Sequence, residues 1–364
     1  MQRTMNTEER VLTALRCEQP DRVPVFIYLN PWVENSIFFN EPSYSELMNA
    51  CREYADAIYI WYSTPFFETA AALQREERTL ENGNIEHIIY TPKGPLTSIT
   101  GPGGRGTRKR WISTPEDAER ILSIPYEPYR PDLTEYFQTR QRLKDKCVTQ
   151  VVFNDPICIA AYIDEETLAF WTLEQRPLLK RMLDVVYERL VDHLRYYLEN
   201  GAGPLFQFDG PEFALPPLMS PADFEEFVVA YDKRIIDLIH SYPDRYVIVH
   251  SHGKVSRFLE TFAGMGMDGL NVLEPPPIGD TVLSDAKKRI GDRVCLIGNI
   301  QYDDIARGTE ADIERLVADA IAQAGPGGGF ILSPCAAPYE CPLPQRTSHN
   351  LIHYLKMGRK YGQY

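Results

Sequence analysis

The 364-residue chain contains no run of about 18 apolar residues, so nothing in it reads as a membrane-spanning helix. It has no excess of positive charge. Its 38 Lys and Arg stand against 51 Asp and Glu, a net charge of −13, which repels phosphate backbones and anionic lipid and excludes a general nucleic-acid or membrane-surface role. It lacks an even set of cysteines: seven thiols in a chain too large to need staples read as reduced rather than as a disulfide framework. The opening MQRTMNTEERVLTALRCEQPDR lacks the apolar core of a signal peptide, and the expected location is cytoplasmic. Internal repeats and low-complexity tails are also missing. A composition of 44% hydrophobic and 24% charged residues is that of a folded globular protein, whose partner is a small molecule or another protein.

Eight apolar runs of strand length alternate with helical patterns: 23–29 (VPVFIYL), 57–61 (AIYIW), 148–153 (VTQVVF), 204–208 (PLFQF), 246–250 (YVIVH), 269–273 (GLNVL), 294–298 (VCLIG) and 329–332 (GFIL). Their continuous β-branched and aromatic content predicts strands covered on both faces. Between them, 176–200 repeats apolar residues at three and four and stops at Gly201. Ser220 followed by Pro221 opens a helix to about 241. Helices are also expected over 254–265, 281–290, 309–324 and 344–361, and one begins at Pro115. The alternation predicts an α/β fold, a single (β/α)8 TIM barrel spanning residues 1–364. Nearly ninety residues separate the second and third strands, and 80–111 alternates around a glycine-rich turn, so an extra β-hairpin is expected there. The GPGGRG of 101–106 reads as its turn rather than as a phosphate loop, because no strand–loop–helix context surrounds it.

In such a barrel the working residues sit at the C-terminal ends of the strands. That rule selects Asn30 and Trp32, Tyr62 and Ser63, Asn154 and Asp155, Asp209 and Glu212, His250 and His252, Glu274, Asn299 and Gln301, and Cys335. His250 and His252 alternate along an extended segment and can face one point. With a Cys335 thiolate and a nearby carboxylate they would supply the borderline-soft nitrogen and sulfur donors that zinc takes, leaving one position open. The same spacing fits one histidine hydrogen-bonded at a strand end and another packed under a loop. Glu274 precedes three prolines, which stiffen its backbone and aim its carboxylate.

The stretches TEERVLTALRCEQPDRVPVF, MSPADFEEFVVAYDKRIIDLIH, VHSHG, GDRVCLIGNIQ and GPGGGFILSP together resemble the uroporphyrinogen decarboxylase superfamily over nearly the whole chain. The resemblance implies one (β/α)8 barrel, and suggests a homodimer. Uroporphyrinogen decarboxylases themselves carry an R-Q-A-G-R-Y segment that grips carboxylates and an aspartate after the second strand; here the matching stretches read IYLNPWVEN and IWYSTPF. The corrinoid-dependent methyltransferase branch carries H-x-C-G after strand five and a cysteine after strand eight. This chain has His250, then His252 in place of the cysteine, then Cys335. Related O-demethylases use zinc with Glu and His, and on that analogy Glu212 and Glu274 become metal partners too.

The function so implied is a zinc-dependent methyltransferase that moves a methyl group between a small methoxylated molecule and a corrinoid carried by a partner protein. In it His250, His252 and Cys335 bind the metal, and Asp209, Glu212 and Glu274 surround the metal or substrate as catalytic carboxylates. Trp32, Tyr62, Phe66 and Phe67 form an aromatic pocket, with Asn154 and Asn299 as further substrate contacts. Two alternatives stand beside it: a decarboxylase-like lyase acting on a carboxylated substrate, and a non-catalytic tetrapyrrole- or corrinoid-binding protein.

Overall fold

The structure, a computed structural model, describes residues 4–34, 36–62 and 65–364; Ser63 lies outside them. Along the chain come β1 (Ala57–Tyr62), β2 (Arg75–Thr79), β3 (Ile85–Thr91), β4 (Gly94–Thr100), β5 (Thr107–Lys109), β6 (Cys147–Asn154), β7 (Leu205–Asp209), β8 (Tyr246–Ser251), β9 (Gly269–Val272), β10 (Cys295–Ile300) and β11 (Phe330–Pro334). The strands β1, β6, β7, β8, β9, β10 and β11 pair in that order, all parallel, with helices in the connections. This curled seven-stranded sheet is consistent with a TIM-like barrel.

The segment 23–29, expected as the first strand, lies between β11 and β1 but forms only an isolated bridge, Val25 to Leu332. Phe26 N–H donates to the Leu332 carbonyl at 2.8 Å, and Asp56 N–H donates to the Val25 carbonyl at 2.8 Å. Among the described residues its backbone bonds to β11 end at Phe26. A tight turn follows, with Leu29 N–H on the Ile27 carbonyl at 2.7 Å, and the chain then runs outward. Asn30 reaches the Ile58 carbonyl at 2.6 Å and lies 3.7 Å from the thiol of Cys147, the first residue of β6. Pro24 and Pro31 flank this short stretch, and proline removes the N–H that a longer ladder needs.

Alternate residues of the strands point inward. Phe26, Ile58, Val148, Leu205, Ile248, Cys295, Ile297 and Ile331 meet Val11, Ala14 and Leu15 of the helix Thr7–Leu15, which closes the lower end of the sheet. That helix starts at a capping box in which Asn6 accepts from Glu9 N–H at 2.8 Å. Asp56, at the foot of β1, is fully buried and takes Arg10 and Arg22, each at 2.7 Å, together with Val25 N–H at 2.9 Å. The outward faces pack under the helices in a second, larger core.

Between β1 and β6 a four-stranded antiparallel sheet, β2 to β5, stands where a two-stranded hairpin over 80–111 is expected. The added strand β2 reads REERT, without apolar alternation, and is carried by its pairing with β3. Thr7–Leu15, Ser45–Tyr54, Thr134–Leu143, Glu165–Glu174 and Tyr302–Arg307 are helices that the sequence pattern does not mark. Thr134–Leu143 buries only Tyr136, Thr139 and Leu143, and Glu165–Glu174 carries apolar residues on both its buried and its exposed sides. The helix expected from Ser220 is interrupted by a π turn at Glu225–Val229. Among the described residues no helix is long and apolar enough to cross a membrane.

Candidate functional site

His250 is the penultimate residue of β8, and its neighbour across the sheet is Asn271 on β9. Asn271 donates through Nδ2 to the Ile297 carbonyl at 3.2 Å, which fixes its Oδ1 as an acceptor. That oxygen receives the Tyr28 hydroxyl at 2.9 Å and lies 2.6 Å from His250 Nδ1. His250 therefore carries its hydrogen on Nδ1, and its Nε2 presents a lone pair.

His250 Nε2 faces His252 Nε2 at 3.1 Å, with the rings nearly perpendicular at 80°. The other nitrogen of His252 is 3.3 Å from Glu274 Oε1, and Glu274 Oε2 accepts Gly253 N–H at 2.7 Å. The hydrogen bond to Glu274 raises the pKa of His252 against the opposing effect of burial. Glu274 is lowered in turn: its burial is outweighed by the bonds from His252 and Gly253. The ring order is thus carboxylate, His252, His250, amide.

Carboxylates gather beside the pair at the ends of β6 and β7. A polar chain runs up the inner wall, Gln150 donating to Gln207 at 2.8 Å and Gln207 to Asp209 Oδ1 at 2.8 Å. Glu212 lies in the short 3-10 turn Pro211–Ala214, its Oε2 buried without a hydrogen-bond partner. Burial raises its pKa, while its own backbone N–H, His250 and His252 pull it down. Behind it, Asp155 and Asp232 are 1% and 0% exposed, and three of their four carboxylate oxygens have no partner. Burial pushes both well above the usual carboxylate range, and Asp232 and Glu212 add to the effect on Asp155. Gly210, at φ 138°, permits this approach: a Cβ there would lie 2.1 Å from Asp155 Oδ1.

The remaining predicted residues divide. Cys335 is buried beyond the end of β11 with its Sγ 3.9 Å from the Val272 carbonyl, and burial together with Glu274 pushes the thiol pKa up. Among the described residues no three His, Cys, Asp or Glu side chains converge closely enough to hold a metal, so His250, His252 and Cys335 are not assembled as a triad. Trp32 lies on the outer side, its ring under Lys146 at 4.4 Å and near Arg52 at 5.7 Å, because the chain has already left the sheet at Asn30. Phe66 packs edge-on against Trp111 and Tyr162 and under Arg75, toward the inserted sheet. Phe67 is buried against Arg189. Asn154 is exposed and paired in register with Asp209, whereas Asn299 is buried on β10. Tyr62 is exposed at the end of β1 and borders a cavity of about 760 Å³ that also reaches Tyr28 and Asn30.

Tyr28, Asn271 and Asp232 are the residues that sequence reasoning passed over. Tyr28 and Asn271 are polar groups inside the apolar runs VPVFIYL and GLNVL, and Asp232 falls on the face of the helix Ala230–His240 that buries Tyr231, Ile235, Ile236 and Ile239; that is the signal that could have found them.

A curled parallel sheet with imidazoles and carboxylates at the C-terminal ends of its strands is consistent with a TIM-like barrel, an architecture whose working residues sit at that end. A sequence model of the uroporphyrinogen decarboxylase (URO-D) family matches residues 107–347, and the chain belongs to that family. Uroporphyrinogen decarboxylase of Pseudoalteromonas translucida (strain TAC 125) is 31% identical over 258 residues, covering 68% of this chain and 70% of that one. Methylcobamide:CoM methyltransferase MtaA of Methanosarcina barkeri is 31% identical over 146 residues, 40% of each chain. A solved methyltransferase from Methanosarcina mazei shares the fold, with a TM-score of 0.63 over 98% of this chain and 99% of that one at 17% identity. Both decarboxylases and methyltransferases thus stand among the relatives of this chain.

Proposed function

We propose that the chain is a zinc-dependent methyltransferase, moving a methyl group between a small methoxylated molecule and the corrinoid of a partner protein. The reading takes residues 1–364 as one (β/α)8 domain, with 23–29 as its shortened eighth stave. The observation that carries it is the pair of facing Nε2 atoms, 3.1 Å apart, with each ring's other nitrogen held by an acceptor. Two donors about 2.0–2.1 Å from a shared tetrahedral centre stand about 3.3 Å apart. Second partners on the far nitrogens are how metal-binding imidazoles are oriented.

His250 Nε2 and His252 Nε2 are the two donors that would hold zinc; Glu212, whose Oε2 is buried and unpartnered, feels both rings electrostatically but does not converge with them as a third ligand. Zinc would supply Lewis-acid chemistry at an ether oxygen, and the corrinoid a cobalt centre that accepts the methyl group. The protein's own part is orientation. Asn271 fixes the His250 tautomer, Glu274 aims His252, and the Gln150–Gln207 chain holds Asp209 toward the substrate side. Both Nε2 lone pairs must be free of hydrogen to hold a metal, so metal binding would weaken in acid.

The charge around the pair favours this reading over a decarboxylase acting on a carboxylated substrate. The largest effects on Glu212 come from burial, its own backbone, the two histidines and Asp209, with no lysine or arginine among them. Incubation with a reduced corrinoid protein and a panel of methoxylated compounds tests the proposal. Donor-dependent methylation of the corrinoid is expected; no methylation with any donor, together with CO2 release from a carboxylated compound, would establish the lyase instead.

A further inference from the structure

We infer that the gap left in the sheet wall where the chain turns outward at residues 27–30 is the methyl donor's binding site, and that the donor is an uncharged molecule with a ring-sized apolar body. This rests on the methyl-transfer reading above.

The cavity of about 760 Å³ is lined from both sides of the wall. Tyr28, Ile58 and Ile60 belong to its inner side: Ile58 is part of the inner core, Ile60 packs against that core, and Tyr28 bonds to Asn271. Tyr59, Thr139 and Arg142 belong to its outer side, where the Tyr59 ring stacks on Tyr136 of the helix Thr134–Leu143. One cavity reached by both sets passes through the wall. The passage exists because residues 28–30 leave the sheet instead of extending it along β1.

Tyr28 links its inner end to the histidine pair. Tyr28 borders the cavity and donates to the same Asn271 oxygen that lies against His250. A donor lying in the gap would point one end toward Tyr28 and, past it, toward the pair, and would leave the strand-end face open for a second, larger reactant. Methyl transfer requires such an arrangement, since two molecules must reach one point from different directions.

The lining sets the ligand's chemistry. The inner end offers a phenol and two isoleucines and no charge; the charged lining residues are Glu34 on the outward-running chain and Glu135 and Arg142 on the outer helix. Beyond the inner end, Asp209, Glu212 and Glu274 would repel an anion. A closed apolar cavity of roughly 150 Å³ accepts one benzene ring. The volume here accommodates a substituted ring with room for a polar tail toward Arg142.

The test is calorimetry or ligand-observed NMR on the full chain, with methoxybenzene as the neutral probe and benzene tricarboxylate as the anionic one. Ile60→Trp fills the gap from the strand, and Ala337→Trp fills it from the loop after β11, so a folding defect in one leaves the other readable. Methoxybenzene is expected to bind saturably, one per chain, and to weaken at least ten-fold in each folded variant, with metal content unchanged and no binding of the tricarboxylate. Equal methoxybenzene binding in both folded variants, or preference for the tricarboxylate, overturns the assignment. No corrinoid is needed, which separates the two claims. If methoxybenzene binds as expected but no methoxylated donor methylates a corrinoid, the cavity assignment stands and the methyl-transfer reading fails. If methyl transfer proceeds with KM unchanged in both variants, the assignment fails and that reading stands.

Discussion

The two ends of this sheet treat buried charge in opposite ways. At the lower end Asp56 is fully buried and every demand is met: two arginines, one backbone N–H and the plug of helix Thr7–Leu15 complete it. At the upper end Asp155, Asp232 and Glu212 bury carboxylate oxygens that meet no hydrogen-bond donor, and two imidazoles face each other across 3.1 Å. A satisfied buried ion pair is costly to break, whereas unsatisfied buried acids lower stability and persist where a site needs them. The lower end is satisfied in the way folding favours, and the upper end holds the groups of the proposed site.

Asp56→Ala probes the contrast with the largest effect. It strands Arg10 and Arg22 and is expected to cost about 3–5 kcal/mol in denaturant unfolding, leaving metal per folded chain unchanged. A loss under about 1 kcal/mol would remove the lower end's special standing. At the upper end, Asn271→Leu releases His250 from its tautomer and should weaken metal binding about 10–100-fold with a smaller effect on unfolding. An unfolding loss with unchanged metal affinity would make Asn271 merely structural.

Asp232→Asn is expected to stabilise the fold by about 1 kcal/mol at neutral pH. Burial raises this carboxyl above its ordinary 3.8, so folding takes up a proton there. Its cost is full above the folded pKa and disappears as pH falls to the unfolded value, so the gain from Asn should vanish in acid. A gain that persists at low pH would contradict the contrast. The smallest effect is at the foot of β8, where His240 sits 2.8 Å from Asp268 and that hydrogen bond raises its pKa against burial. The stabilisation is fully present below the ordinary 6.5 and is lost as pH rises through the folded value. His240→Gln should remove this slope, worth under about 1 kcal/mol for so exposed a pair.

The sequence discloses the lower end and the strand order better than the site. Apolar runs such as VTQVVF and YVIVH mark β6 and β8 because a strand covered on both faces has no polar side to hide it. REERT gives no such sign, since an edge strand in an exposed sheet is fixed by its partner and not by burial. The pairing of His250 with His252 is legible from alternation alone. The outer position of Trp32 is not legible, because the outward turn at residues 27–30 depends on tertiary contacts to Ile58 and Cys147. Cys335 is correctly located after β11, but its direction toward the Val272 carbonyl is set by packing that periodicity does not encode.

Metal analysis of the purified full chain, repeated on His250→Ala and His252→Ala, bears most directly on the facing imidazoles. One zinc per chain, lost in both variants while each remains folded, is the expected result. Chain prepared without chelator that carries no metal and binds none when zinc is added would contradict the account.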